Sequence, residues 1–298
     1  MVFHRGGVRT IHPKLLYIHF IFSNMGKENI VLLTGGSAGL GKATAELLMK
    51  NGYTIYSASR RLAKEQEDAA SHGKIIPLQM DVTNVPSIEQ AVARIMEEQG
   101  RIDVLICNAG NGIAGAIEET DEEEAHFQFE TNFFGTVNVV HAVLPIMRKQ
   151  RKGKIITTSS VAGFIPIPYQ GYYSASKAAV KIFTQTLAIE MKQFNVQCCC
   201  VLPGDAKTEF TQSRKFTKAS QSPESVYTKK REKAVSIMAH DEQNGMQPIE
   251  ISKAILAQIN KEKMSVVTIP GAKYKLIALA FRLVPNRFVL YVVDKLYS

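Results

Sequence analysis

A tyrosine and a lysine four apart in "GYYSASK" have the types and spacing of an acid–base pair. In a helix Tyr173 and Lys177 share one face, whereas Tyr172 is turned about 100° away. A free phenol titrates at about 10, and a neighbouring ammonium is expected to lower that value. Reducing a carbonyl by hydride builds negative charge on its oxygen, so an acid must stand ready to donate a proton. The same spacing occurs on ordinary surface helices, so the pair needs support from the rest of the chain.

A hydride carrier would have to lie beside that pair, and "VLLTGGSAGLGKATAELL" supplies a turn suited to its phosphates. Gly35, Gly39 and Gly41 fall between an apolar strand and the start of a helix. Glycines there permit a tight turn and let backbone N–H groups approach a pyrophosphate at the helix's positive end. The spacing T-G-x-x-x-G-x-G differs from the G-x-G-x-x-G of many dinucleotide enzymes. About 20 residues on, an NAD enzyme would offer a carboxylate to the ribose. Here the second strand ends "YSASRR", with Ser59 in the acid's place and Arg60 and Arg61 after it. Guanidinium groups beside the ribose favour a 2′-phosphate, hence NADP rather than NAD.

The elements that must position these groups alternate from residue 30 onward. Short apolar runs predict strands at 30–34, 54–59, 75–80, 104–107, 154–158, 196–202 and 265–269. Helical patterns predict 40–51, 86–99, roughly 122–150, 171–193 and 248–260. The alternation predicts an α/β fold: one doubly wound domain over 25–270, with about seven parallel strands and helices on both faces. Residues 1–24 are expected to be an extension outside that fold: the apolar run at 15–23 is too short to span a bilayer, and no small-residue cleavage site follows it. Residues 271–298 form an apolar, basic tail.

With these residues in order, the chain resembles the short-chain dehydrogenase/reductase family. The resemblance rests on "TGGSAGLG", Asp81-Val82, "CNAG" at 107–110, Asn132 in "TNFFG", "SSVAG" from 159, "YSASK" from 173 and "PGDAKT" from 203. Cys107 stands where the family usually has asparagine. The resemblance implies a Rossmann fold and a catalytic set of Asn132, Ser160, Tyr173 and Lys177. Ser160 would hydrogen-bond the substrate oxygen, Lys177 would hold the nicotinamide ribose, and Asn132 would anchor a water chain towards Lys177. It also implies coenzyme contacts from Gly35, Ser37, Gly39, Leu40, Gly41, Ser59, Arg60, Arg61, Asp81, Val82, Asn108, Ala109, Gly110, Pro203, Gly204 and Thr208, besides Tyr173 and Lys177. Members of the family commonly form dimers or tetramers through the helix bearing the tyrosine. The flanking segments are most similar to the hydroxysteroid and retinol dehydrogenase branch.

Composition narrows the partners. With 45% apolar and 21% charged residues the chain can bury a sizeable core. Its formal charge of +9 is spread over many segments without an aromatic-interleaved basic motif, so nucleic acid is not an expected partner. Cys107, Cys198, Cys199 and Cys200 lack C-x-x-C or metal-ligand spacing, and the last three read as small apolar residues of a buried strand in a reducing compartment. A cytoplasmic location is expected, with peripheral membrane association through the tail as its variant.

The expected reaction is NADP(H)-dependent interconversion of a lipophilic alcohol and its ketone or aldehyde: a steroid, a retinoid or a long-chain lipid. "FIPIPYQG" at 164–171 would border an apolar pocket or pack against the next helix. The alternatives are a β-ketoacyl thioester or ketosphinganine reductase and, from another class, a coenzyme-binding regulator without turnover. Residues 209–247 are polar and lysine-rich and predict a lid whose cations, Arg214 and Arg231 among them, would attract an acidic carrier or form a solvated face. The tail is expected to lie on an anionic membrane, pack in a dimer or cover the pocket mouth.

Overall fold

Ile30–Thr34 (β1) reads IVLLT, and every one of its residues is buried, the composition of a strand covered on both faces. The computed structural model describes residues 30–62 and 64–297; the extension expected over 1–24 lies outside them. In chain order follow α1 (Gly39–Met49), β2 (Thr54–Ser59), β3 (Gln66–Asp68), β4 (Gly73–Gln79), α2 (Val85–Gln99), β5 (Val104–Cys107), β6 (Ile113–Ala114), α3 (Glu122–Phe129), α4 (Gly135–Gln150) and β7 (Gly153–Thr158). The second half holds α5 (Gly171–Glu190), β8 (Val196–Val201), α6 (Phe210–Ser213), β9 (Lys215–Phe216), α7 (Thr228–Gln243), α8 (Pro248–Asn260), β10 (Val267–Thr268), α9 (Ala272–Leu283) and α10 (Asn286–Tyr297).

The main sheet runs β10-β8-β7-β5-β1-β2-β4-β3. Its seven parallel strands are those expected; the eighth, β3, is a short antiparallel edge strand paired with β4. On one face Ile88 and Ile95 of α2, Val139, Val143 and Met147 of α4 and Leu187 of α5 cover the sheet. On the other, Ala45 and Leu48 of α1 pack with Ile251, Ile255 and Ile259 of α8. The chain leaves β1 for β2 on one side, while β5 lies on the other. This reversal opens a crevice beyond the C-terminal strand ends, where α/β sheets bind ligands.

Three regions depart from the expectation. The helix predicted over 122–150 contains a π-helical segment at Glu130–Phe134, which carries Asn132; such segments concentrate at functional sites. The lid contains the helix α7, which buries only Arg231, Ala234 and Met238. Arg214 and Arg231 are buried rather than solvated: Arg214 pairs with Glu242, and the Arg231 guanidinium lies 5.9 Å from the Phe216 ring centre. The tail forms two helices that fold back on the domain. Tyr274 fills the space beside Gly204, and its hydroxyl donates to Asp205 Oδ2 at 2.7 Å while accepting from the Asp205 N–H at 3.0 Å.

All four cysteines are free and buried, as expected of small apolar residues in strands. Burial pushes the Cys107 and Cys198 thiols up to about 12 and the Cys199 thiol up to about 11.

Candidate active site

The glycine turn is set by backbone geometry. Gly35 and Gly39 hold φ of 69° and 51°, which a side chain would strain. Helix α1 begins at Gly39 without a side-chain cap, so its first N–H groups remain available to an anion. Asn108 ties this turn to the end of β5. Its Nδ2 donates to the carbonyls of Thr34 and Gly35 at 3.3 and 3.2 Å, and the N–H groups of Asn108 and Ala109 both donate to Thr34 Oγ1 at 3.0 Å.

A cavity of about 900 Å³ runs from this turn to the lid, and Tyr173 and Lys177 open into it. All the residues assigned to catalysis and coenzyme binding line it except Gly41 and Asn132. Gly41 packs beneath the turn, where any side chain would strike the Gly35 carbonyl. At one end Arg60 and Arg61 are exposed at the rim, and the Ser59 hydroxyl donates to the Arg61 carbonyl. Asp81 Oδ1 accepts from the N–H and hydroxyl of Thr83, which leaves its second oxygen for a ligand. Asp205, Glu209, Phe210, Glu242 and Tyr297 also line it, with Glu209 Oε2 close to Gly39 and Glu242 paired with Arg214.

Helix α5 presents Tyr173 and Lys177 on one face, with the ammonium nitrogen 5.8 Å from the Tyr173 ring centre. Lys177 Nζ donates to the Thr158 carbonyl at 3.0 Å. Burial pushes the Tyr173 phenol up to about 12, and a hydrogen bond with Ser160 opposes that rise. Burial likewise draws Lys177 down to about 8. This corrects the expectation that the ammonium would depress the phenol below its ordinary value: desolvation comes first and outweighs the lowering by Ser160 and Arg214. At neutral pH Tyr173 therefore keeps its proton, and Lys177 is mostly protonated.

The neighbouring serines divide their tasks. Ser159 is buried, and its hydroxyl donates to the Lys177 carbonyl at 2.7 Å, fastening β7 to α5. The Ser160 hydroxyl accepts from the Ala162 N–H at 3.1 Å and meets Tyr173 across the cavity. Asn132 is buried: its Oδ1 accepts from the Asn111 N–H at 2.9 Å, and its Nδ2 donates to the Asn111 carbonyl and to Ser176 Oγ, each at 3.1 Å. A methyl group on Gly110 would sit 3.2 Å from Asn132 Oδ1 and 3.3 Å from Lys177 Nζ, so the glycine keeps a narrow gap open between amide and ammonium.

Several contributors escaped sequence reasoning. Asn111, Gln128 and Ser176 form the polar brace around Asn132, with Gln128 Nε2 donating to the Asn111 carbonyl at 3.0 Å. Asn111 directly follows "CNAG" and Ser176 lies inside "YSASK", so both were within reach; nothing local marks Gln128. Phe210 packs its ring 5.5 Å from that of Tyr173, and the Arg214 guanidinium lies 5.8 Å from the Phe210 ring centre.

The crevice fits a dinucleotide. Its uncapped helix start suits a pyrophosphate, and Gly35 and Gly39 keep side chains off the turn that leads into it. The sequence profile of short-chain dehydrogenases matches residues 29–219. A 3-ketodihydrosphingosine reductase of Bacteroides thetaiotaomicron is 45% identical over 229 residues, covering 77% of this chain and 82% of that protein. Human retinol dehydrogenase 8 is 37% identical over 188 residues, 60% of each chain. A short-chain dehydrogenase from Streptomyces avermitilis superposes with a TM-score of 0.74 at 27% identity, covering 87% of this chain and 95% of that one. The structure of ElxO with NADP bound gives 0.67 at 28% identity, over 84% and 100% of the two chains. Fold and relatives define an oxidoreductase that uses a nicotinamide coenzyme. The chain belongs to the short-chain dehydrogenase/reductase family.

Proposed function

We propose that this enzyme reduces the ketone of a long-chain 2-amino-3-ketone of the 3-ketodihydrosphingosine type, using NADPH. The observation that carries the reading is a relative of that activity aligned over most of both chains, together with a cavity lined by Ser160, Tyr173 and Lys177. Asp205 lines the cavity and offers a substrate ammonium charge of opposite sign, whereas Glu242 is paired with Arg214 and Glu209 lies beside Gly39. Steroid and retinoid alcohols, favoured on sequence alone, have weaker support, since the retinol dehydrogenase relative aligns over a smaller share of both chains.

When bound, the reduced nicotinamide supplies the hydride. The residues of the chain then do the rest. Tyr173, a phenol held protonated by burial, donates its proton to the carbonyl oxygen as charge develops there. Ser160 offers that oxygen a second hydrogen bond. Lys177, anchored on the Thr158 carbonyl, orients the ribose side of the cavity and stabilises the phenolate left on Tyr173. Asn132 holds the π-helical segment and Gly110 in register with the ammonium. Ser59 in place of an acid, followed by Arg60 and Arg61 at the rim, supports NADPH over NADH.

The test is coenzyme oxidation by the purified protein with 3-ketodihydrosphingosine, acetoacetyl-coenzyme A, retinal and a steroid ketone, each with NADPH and NADH. Preferential turnover of the amino ketone with NADPH is expected. Turnover of retinal or the thioester in its place would overturn the substrate assignment.

A further inference from the structure

The two tail helices carry apolar residues on their outward sides as well as their inward ones. In α9, Tyr274 and Ala278 face the domain and are buried. Leu276, Leu279 and Leu283 recur at helical spacing on the opposite side and are 68%, 55% and 76% exposed. Lys275 and Arg282 border this stripe on one flank and Lys273 on the other, all exposed. In α10, Val289 and Val293 turn inward, while Phe288 and Tyr291 are more than half exposed. Lys295 lies on the same outer side, its ammonium 5.9 Å from the Tyr291 ring centre.

Scattered exposed leucines are common on proteins, whereas an apolar stripe flanked by cations on two consecutive helices is the pattern of a helix lying in a bilayer interface. Residues 271–297 contain five lysines and arginines against Asp294 alone, a net charge of 5 − 1 = +4. That charge decides the occupant. A second copy of the chain would set +4 against +4, whereas anionic headgroups complement it. No helix of the described residues is long and apolar enough to cross a membrane, so the pair would rest on the surface.

We propose that α9 and α10 dock the enzyme on an anionic lipid bilayer. The leucine stripe and Phe288 enter the headgroup boundary, and the flanking lysines and arginines meet the phosphates. Tyr297, at the end of this helix pair, lines the cavity, so docking holds the site close to the lipid. This inference stands apart from the substrate assignment, since it rests on the outer faces of the tail alone.

Cosedimentation of the full chain with vesicles tests it. Vesicles of phosphatidylglycerol and phosphatidylcholine should bind the protein, and pure phosphatidylcholine should bind it far less. L279S/L283S, altering two exposed side chains that contact neither cavity nor core, should lose vesicle binding while keeping turnover of a water-soluble ketone. K275Q/R282Q should weaken binding about fivefold for each charge removed, as should added salt. Wild-type protein that stays in the supernatant, or L279S/L283S that binds as well as wild type, would overturn the proposal. So would a stable dimer that L279S/L283S splits, since the stripe would then serve self-association. Vesicle binding with no turnover of any amino ketone would refute the substrate reading and leave docking intact.

Discussion

Replacing Lys177 by methionine should abolish turnover and yet make the coenzyme-free protein more stable. The lysine is 6% exposed, has the Thr158 carbonyl as its hydrogen-bond acceptor, and no carboxylate forms an ion pair with it among the described residues. Burial draws it from 10.5 down to about 8. At about 1.4 kcal/mol per tenfold, that fall corresponds to roughly 3 kcal/mol of cost for keeping the charged form inside at neutral pH. Methionine fills similar space without charge, and the Thr158 carbonyl that loses its donor gives back about 1 kcal/mol. The net gain is about 2 kcal/mol, or roughly 4–8 °C in melting temperature for a domain near this size. The pH dependence follows from linkage. Below pH 8 the lysine is charged in both folded and unfolded chains, and the whole cost applies. Between 8 and 10.5 the unfolded chain keeps a proton that the folded chain has released, so wild-type stability from this group rises with pH. The variant's advantage should therefore shrink to about 0.5 kcal/mol by pH 9.5. Equilibrium urea unfolding at pH 7 and pH 9.5 measures both quantities. A variant less stable than wild type at pH 7, or an advantage equal at the two pH values, would refute the reasoning.

Other outcomes follow from the same geometry. Tyr173→Phe should lower kcat by about 10²–10⁴, the range of a lost general acid, with NADPH affinity by fluorescence titration close to wild type; near-normal kcat would remove the tyrosine from the chemistry. Arg60→Asp should shift the NADPH-to-NADH ratio of kcat/KM towards NADH by about tenfold or more, since a phosphate contact becomes a repulsion; an unchanged ratio would contradict the assignment. Glu209 Oε2 would lie 3.3 Å from a methyl group placed on Gly39, which sets a carboxylate beside the helix start that a pyrophosphate needs. Glu209→Gln should therefore tighten NADPH binding several-fold at low salt, and weaker binding would count against that competition.

The parts of the fold readable beforehand were those whose signal is local. β1 is five consecutive apolar or β-branched residues, the glycine turn follows it directly, and Tyr173 and Lys177 announce their shared face through spacing alone. The unreadable parts depend on partners distant in the chain. β3 is three polar residues, exposed or half-buried, that become a strand only because β4 offers an edge. Helix α7 has too few apolar residues to declare itself and is held partly by the Glu242 pairing with Arg214. Phe210 reaches Tyr173 because Gly112 leaves room for its ring, and a methyl group there would come within 2.7 Å of Phe210 Cζ. The protonation of Tyr173 is not legible in the sequence for the same reason, since the depth of burial is set by the assembled lid and sheet rather than by the four-residue interval to its lysine.

The four cysteines leave a practical opening. Because Cys107 and the run from Cys198 to Cys200 are sealed in β5 and β8, alkylating dyes will not reach them while the protein is folded. A single thiol installed by L283C would take up a maleimide fluorophore alone, with no background substitutions to make first. The native chain is thus ready for probes that report the polarity around its last two helices in real time.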